Sequence, residues 1–133
     1  MVTSTESMFY ECDRLTGVNL SNLNFSSVER MSSMFENTSI TTLNMDNVDV
    51  SNVTNFNKFI TSTKLASFSP PNNISVSFGI NYTNLLPSST LLSIINNLAT
   101  VSTTQTLTLG TNNLNKLTAE QIKIATDKGW TVV

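Results

Sequence analysis

A fixed period of about 25 residues runs through the first half of this chain and restricts it to architectures in which like units stack on one another. Val28, Met31, Met34 and Phe35 return as Val53, Phe56, Phe59 and Ile60, and Leu15, Val18, Leu20 and Leu23 return as Ile40, Leu43, Met45 and Val48. Ile40 and Leu43 return once more as Leu65 and Phe68. An earlier copy, Val2, Met8 and Phe9, is displaced by a single further position, because the Cys12–Asp13 region carries one more residue. A unit this short cannot enclose a core, so the expectation is a single body over residues 1–133 in which neighbouring units bury one another's apolar faces.

Each period holds two kinds of apolar spacing. Leu15, Val18 and Leu20, like Ile40, Leu43 and Met45, end in an alternation that suits a short strand with one buried face. Val28, Met31, Met34 and Phe35 then fall at i, i+3, i+6 and i+7, which predicts a helix. Ser26 with Glu29 has capping-box spacing, and Ser51 or Asn52 occupies the corresponding place one unit later. The core positions of the period are taken by Met8, Met31, Met34, Met45, Phe9, Phe25, Phe35, Phe56 and Phe59.

From residue 69 onward the unit lengthens to about 31 residues: Val76, Phe78 and Asn81 align with Leu107, Leu109 and Asn112, Leu86 with Leu117, and Leu91 with Ile122. Helices are expected over about Ser88–Leu98 and about Thr118–Lys128, the second opened by a Thr118–Gln121 capping box and closed by Gly129 in a left-handed conformation. Trp130–Val133 is expected to form a final strand, with Trp130 covering the open end of the stack. Phe68 and Val76 are too close for a parallel crossover, so the stretch around residues 65–75, with Pro70 and Pro71, reads as a hairpin or irregular coil where the 1–68 and 69–133 halves meet. Because Met1 and Val2 align with the inside of a unit, the chain reads as the C-terminal piece of a longer array.

Charged residues make up only 12% of the chain, and 56 positions are Ser, Thr or Asn, so hydroxyls and amides must form most of the surface. A net charge of -2 with scattered basic residues argues against nucleic acid as a partner. No apolar run approaches membrane-spanning length, so direct membrane insertion is not expected. The chain has no histidine and one cysteine, Cys12, which removes the commonest general base and any intramolecular disulfide. The carboxylate pairs Asp46 with Asp49 and Glu11 with Asp13 read as structural or solvated. Asp46–Asp49 lacks the glycine and closing glutamate of a calcium loop. The expectation is a protein that is not an enzyme and needs no metal and no cofactor.

Leu107, Leu109, Asn112 and Leu114 resemble the leucine-rich repeat signature, with Thr104 in place of the first leucine; Leu23 and Val48 stand where the shorter units would carry the asparagine. The run from Ser33 to Phe56, including Val50-Ser51-Asn52-Val53-Thr54-Asn55-Phe56 and the Met-Phe pairs at Met8-Phe9 and Met34-Phe35, resembles BspA-type leucine-rich repeats and the related mycoplasma lipoprotein-associated repeats. The ending from Lys116 to Val132 is similar to the closing repeats of proteins from gut bacteria and of phage tail or host-recognition proteins. The resemblance implies an α/β, leucine-rich-repeat-like solenoid, with short parallel strands on one face, helices on the other and a C-terminal cap. It also implies a role in attachment, at the cell surface or extracellularly, or alternatively in a virion tail. The implied partners are a host or bacterial surface protein or a glycan, together with the rest of the parent repeat protein.

In such a stack the residues between buried strand positions project to one face. These are Gly17, Asn19 and Ser21, then Thr42, Asn44 and Asp46, then Ser75, Ser77 and Gly79, then Thr106, Thr108 and Gly110. Rows about 4.8 Å apart would align them as columns suited to a glycan or an extended polar peptide. Asn19, Ser21, Thr42, Asn44, Asp46, Ser75, Ser77, Thr106 and Thr108 are therefore the candidate binding residues. Two functions follow: a binding module acting through this face, or a structural spacer or assembly segment of a larger repeat protein.

Overall fold

The computed structural model describes residues 1–133 and is a mixed α/β structure with two small parallel sheets and three helices. The first sheet joins β1 (Gly17–Asn19), β2 (Thr42–Asn44) and β3 (Ser67–Ser69) in that order. Gly17 pairs with Thr42 and Thr42 with Ser67, so the period of the sequence is the register of the sheet. The second joins β4 (Phe78–Gly79), β5 (Gln105–Thr108) and β6 (Trp130–Val132), also parallel. No helix is long and apolar enough to cross a membrane.

The helices expected in the shorter units do not form. The segment holding Val28, Met31, Met34 and Phe35 is a succession of turns. Alternate N–H groups bond to the next unit, Met31 to the Asn55 carbonyl, Ser33 to Asn57 and Phe35 to Phe59, at 2.9–3.0 Å, while Val28 and Glu36 close turns within their own by donating to Phe25 and Ser33. Thr5, Ser7, Phe9 and Glu11 donate in the same way to Arg30, Ser32, Met34 and Glu36. Ser7, Glu11, Asn22, Ser33, Asn37, Asn47 and Lys58 have positive φ, which breaks any helical run. The supposed caps are parts of side-chain turns: the Asn24 amide oxygen accepts from the Ser26 N–H at 2.9 Å, and Asp49 accepts from the Ser51 N–H at 3.0 Å. A segment rich in Ser, Asn and Asp has these local bonds as an alternative to helix, and here they prevail. Accordingly, 47 of the 67 backbone–backbone hydrogen bonds lie outside the helices and strands.

The meeting point of the two halves is no hairpin: Ser67–Ser69 is a parallel strand, and residues 70–77 are irregular apart from two isolated bridges. β3 continues the first sheet in register, and the buried Pro70 and Pro71 end it, since proline offers no N–H to prolong a ladder. The chain then bridges Asn72 to Asp49 and Ile74 to Leu98 before opening the second sheet at Phe78. Asn97 secures this crossing with its amide, which donates to the carbonyls of Pro70 at 3.2 Å and Pro71 at 3.0 Å.

In the second half the helices stand close to expectation, as α1 (Ser88–Asn97) and α3 (Ala119–Asp127), and a short helix, α2 (Thr111–Leu114), is added between them. Thr118 and Gln121 form the capping box. Gly129 has a φ of +94°, and a Cβ there would lie 2.5 Å from the Val101 carbonyl oxygen, so both conformation and space require glycine. The register is corrected from the sequence alignment: Phe78, not Val76, pairs with Leu107, and Gly79 pairs with Thr108. The buried asparagine is likewise Asn113 rather than Asn112. Gly110, at φ +80°, leads straight into α2, which turns Asn113 inward, where its amide donates to the Leu109 carbonyl at 3.0 Å and the Thr83 carbonyl at 3.3 Å.

One core runs through both sheets. Its spine is aromatic: Phe9 stacks on Phe35, Phe35 meets Phe59 edge to face, and Phe56 and Phe59 both reach Phe78. Each such pair adds about 0.5–1.5 kcal/mol beyond its buried area. Met31, Met34 and Met45 are fully buried as expected, whereas Met8 is 53% exposed. Trp130 is buried at the start of β6, with its indole N–H donating to the Ala99 carbonyl at 2.9 Å.

Candidate functional site

In the first sheet Val18, Leu43 and Phe68 turn toward the core, and the residues between them form two outward columns: Gly17, Thr42, Ser67 and Asn19, Asn44, Ser69. The columns and the strands line a shallow depression of about 370 Å³. Gly17 gives Thr42 its place, because a Cβ at residue 17 would stand 2.7 Å from the Thr42 hydroxyl oxygen. The asparagines are fixed by their own backbone. The Asn19 amide oxygen accepts from the Ser21 N–H at 3.0 Å and the Ser21 hydroxyl at 2.7 Å, and the Asn44 oxygen accepts from the Asp46 N–H at 2.9 Å. Their NH2 groups are left as the outward-facing donors.

The other sequence-derived candidates are distributed differently. Ser21 belongs to the Asn19 turn. Asp46 lies past the end of β2 in a separate depression of about 490 Å³ with Asn47, Ser69, Asn72, Ser93 and Asn97. Ser75 precedes the second sheet, just after the Ile74–Leu98 bridge, and joins no column. Ser77 is committed to structure: its hydroxyl donates to Gln105 Oε1 at 3.1 Å and accepts from the Thr106 N–H at 3.0 Å. Thr106 and Thr108, with Gly79, border a groove of about 350 Å³ between the second sheet and the Phe56–Ile60 turn, and Asn57, Lys58, Asn81 and Tyr82 form its other walls.

Sequence reasoning missed Ser67, Ser69 and Tyr82. The serines were available from the period, since they stand one unit after Thr42 and Asn44, but the adjacent prolines suggested a break in the stack. Tyr82 carries no periodic signal, and only the folding of β4 beside the Phe56–Ile60 turn places it on a groove.

The cation of the groove is paired. Lys58 Nζ lies 3.1 Å from Glu36 Oε1. The Ser33 hydroxyl and then Lys58 hold the Glu36 carboxyl below its ordinary range, and Glu36 in turn holds the Lys58 ammonium above its own. At the N-terminal end the Glu11 carboxylate raises the phenol of the exposed Tyr10. Asp49 is lowered by the Asn73 amide at 3.0 Å and by the Ser51 N–H. Cys12 is half-buried and unpaired.

The family described as "Mycoplasma protein of unknown function, DUF285" matches residues 1–77. The chain belongs to the DUF285 family. The matched part of this DUF285 protein contains all three strands of the first sheet and ends just before β4. No curated protein and no solved structure matches the chain.

Proposed function

We propose that this DUF285 chain is a leucine-rich-repeat-like solenoid of the BspA type and a non-catalytic binding module of a bacterial cell-surface or phage tail protein. In this reading it works outside the cell and attaches to a surface protein or glycan through its strand face. The observation that carries the proposal is the pair of aligned columns, Gly17–Thr42–Ser67 and Asn19–Asn44–Ser69, repeated at the period of the sequence. The turn that holds Asn19 and Asn44 also shapes the units at Asn24, Asp49 and Asn55, but on the sheet it leaves two amides aligned and preorganised, from which a binding face gains. Hydroxyl and amide columns favour ligands rich in hydrogen-bonding groups, met at short range, over ligands drawn in by charge.

The experiment is attachment of the labelled chain to bacterial cells, comparing the wild type with Thr42→Arg and Asn44→Arg. Both variants are expected to abolish attachment with the circular dichroism spectrum unchanged. Undiminished attachment rejects the strand face as the site. A second reading, an assembly segment of a larger repeat protein, is favoured by β1, which pairs with β2 on one edge and has no strand on the other, beside half-buried Leu15 and Val18. It requires a defined complex with the remainder of the parent chain, and a monomeric light-scattering profile in that mixture counts against it.

A further inference from the structure

The groove between the second sheet and the Phe56–Ile60 turn differs from the depression on the first sheet in having an aromatic wall. Tyr82 is half-exposed there, at 51%, and the buried rings of Phe56 and Phe78 form the floor. Around the ring stand Asn57, Asn81, Thr106 and Thr108, whose side chains take no part in the hydrogen bonds that tie Ser77 and Gln105 together at the same place. The floor stays low because Gly79 has no side chain: a Cβ there would stand 3.4 Å from Thr108 Cβ and 3.6 Å from Asn81 Oδ1, directly between two groove walls. The one cation of the groove, Lys58, is already paired with Glu36.

A pyranose is the ligand whose chemistry this arrangement matches. Its C–H face is apolar and flat enough to lie on a phenol ring, while its rim of hydroxyls needs partners that both donate and accept, as Asn and Thr do. A volume of about 350 Å³ is at the small end for ligand pockets and suits one or two sugar rings rather than a long segment of chain. Neutralisation of Lys58 favours an uncharged sugar over a uronate or a phosphate. We propose that the groove is a neutral-saccharide subsite in which Tyr82 stacks on the sugar ring and Asn81, Thr106 and Thr108 bond its hydroxyls. This rests on the binding-module reading and narrows it to a glycan.

The test is an amide-resolved NMR titration of the full chain with methyl β-glucopyranoside, methyl β-galactopyranoside, maltose and the N-acetylglucosamine disaccharide at millimolar concentrations. At least one of these is expected to shift the amides of Asn57, Asn81, Tyr82 and Thr108. Tyr82→Ala should weaken that binding by about tenfold or more, while Tyr82→Phe, which keeps the ring, should stay within about threefold. Gly79→Thr, which fills the floor while suiting a strand, should abolish it. Silence at these amides with all four sugars overturns the proposal, as do shifts produced by glucuronate or by the peptide Ser-Thr-Asn-Ser but not by the neutral sugars. Shifts confined to Thr42 and Asn44 also overturn it while sparing the wider reading. Conversely, Tyr82-dependent sugar binding together with undiminished cell attachment of the Thr42→Arg and Asn44→Arg variants retains this subsite and removes the first sheet as the attachment face.

Discussion

The rings of Phe56 and Phe78 meet edge to face with centroids 5.4 Å apart, although Phe56 belongs to the last turn series of the shorter units and Phe78 opens the second sheet. The bridges of that turn series run from Ser4 through Arg30 to Asn55 and no strand pairing carries them on to β4, so aromatic packing connects the second sheet to the series where the backbone ladder stops.

Phe78→Ala is therefore expected to lose about 3–5 kcal/mol, as a large cavity in a close-packed interior does. Urea denaturation checks this. Phe78→Leu, which keeps apolar bulk but no ring, should recover only part of that loss, and a Leu variant as stable as the wild type would show that the ring itself contributes nothing.

Asn113 and Asn112 separate a buried amide from a surface one. Asn113→Ala leaves the carbonyls of Thr83 and Leu109 without their donor and should cost about 1–3 kcal/mol. Asn112→Ala should stay within about 0.5 kcal/mol. The order of the two melting temperatures decides the point.

Gly129→Ala meets a left-handed φ and the Val101 carbonyl together, so a loss of about 2 kcal/mol or more is expected in thermal unfolding. Gly79→Ala meets only ordinary contacts and should change stability by less than about 1 kcal/mol.

Glu6, Glu36 and Asp49 titrate below their ordinary values of 4.5, 4.5 and 3.8 when folded. Ser32 is the main cause for Glu6, Ser33 for Glu36 and Asn73 for Asp49. As pH falls, the unfolded chain takes up these protons first, so the stability they give is complete above the ordinary values and is lost as pH drops through the lower folded ones. Melting temperature should thus be flat near neutrality and decline below about pH 4.5. Glu36→Gln with Asp49→Asn should make that decline shallower, and an unchanged slope would show that these groups do not govern acid unfolding.

The sequence shows the period plainly because every unit must present its apolar residues at the same place on its neighbour. The register Gly17–Thr42 follows directly from that. The stripe of Val28, Met31, Met34 and Phe35 misleads because a series of tight turns, each returning one side chain inward, has nearly the spacing of a helix. Only the partners of the N–H groups distinguish the two, and those of Met31, Ser33 and Phe35 lie a unit away. The longer helices are legible because Thr118, Gln121 and Gly129 are local signals that need no neighbour. The register of the second sheet is hidden because α2 takes up residues between Leu109 and Leu117 that a linear alignment counts as strand and loop. The columns of the first sheet were readable in their first two rows, whereas the groove beside Tyr82 depends on how the second sheet packs on the Phe56–Ile60 turn of a unit of different period.

The way Asn19 and Asn44 are held has a consequence for environment. Because each carboxamide oxygen is already engaged by the chain two residues on, a flip would set NH2 against N–H and is disfavoured, and what reaches outward is an NH2 group that neither acid nor alkali titrates across the physiological range. Hydrogen-bond geometry, and not the protonation state of these side chains, therefore sets what the two amides can offer over that range.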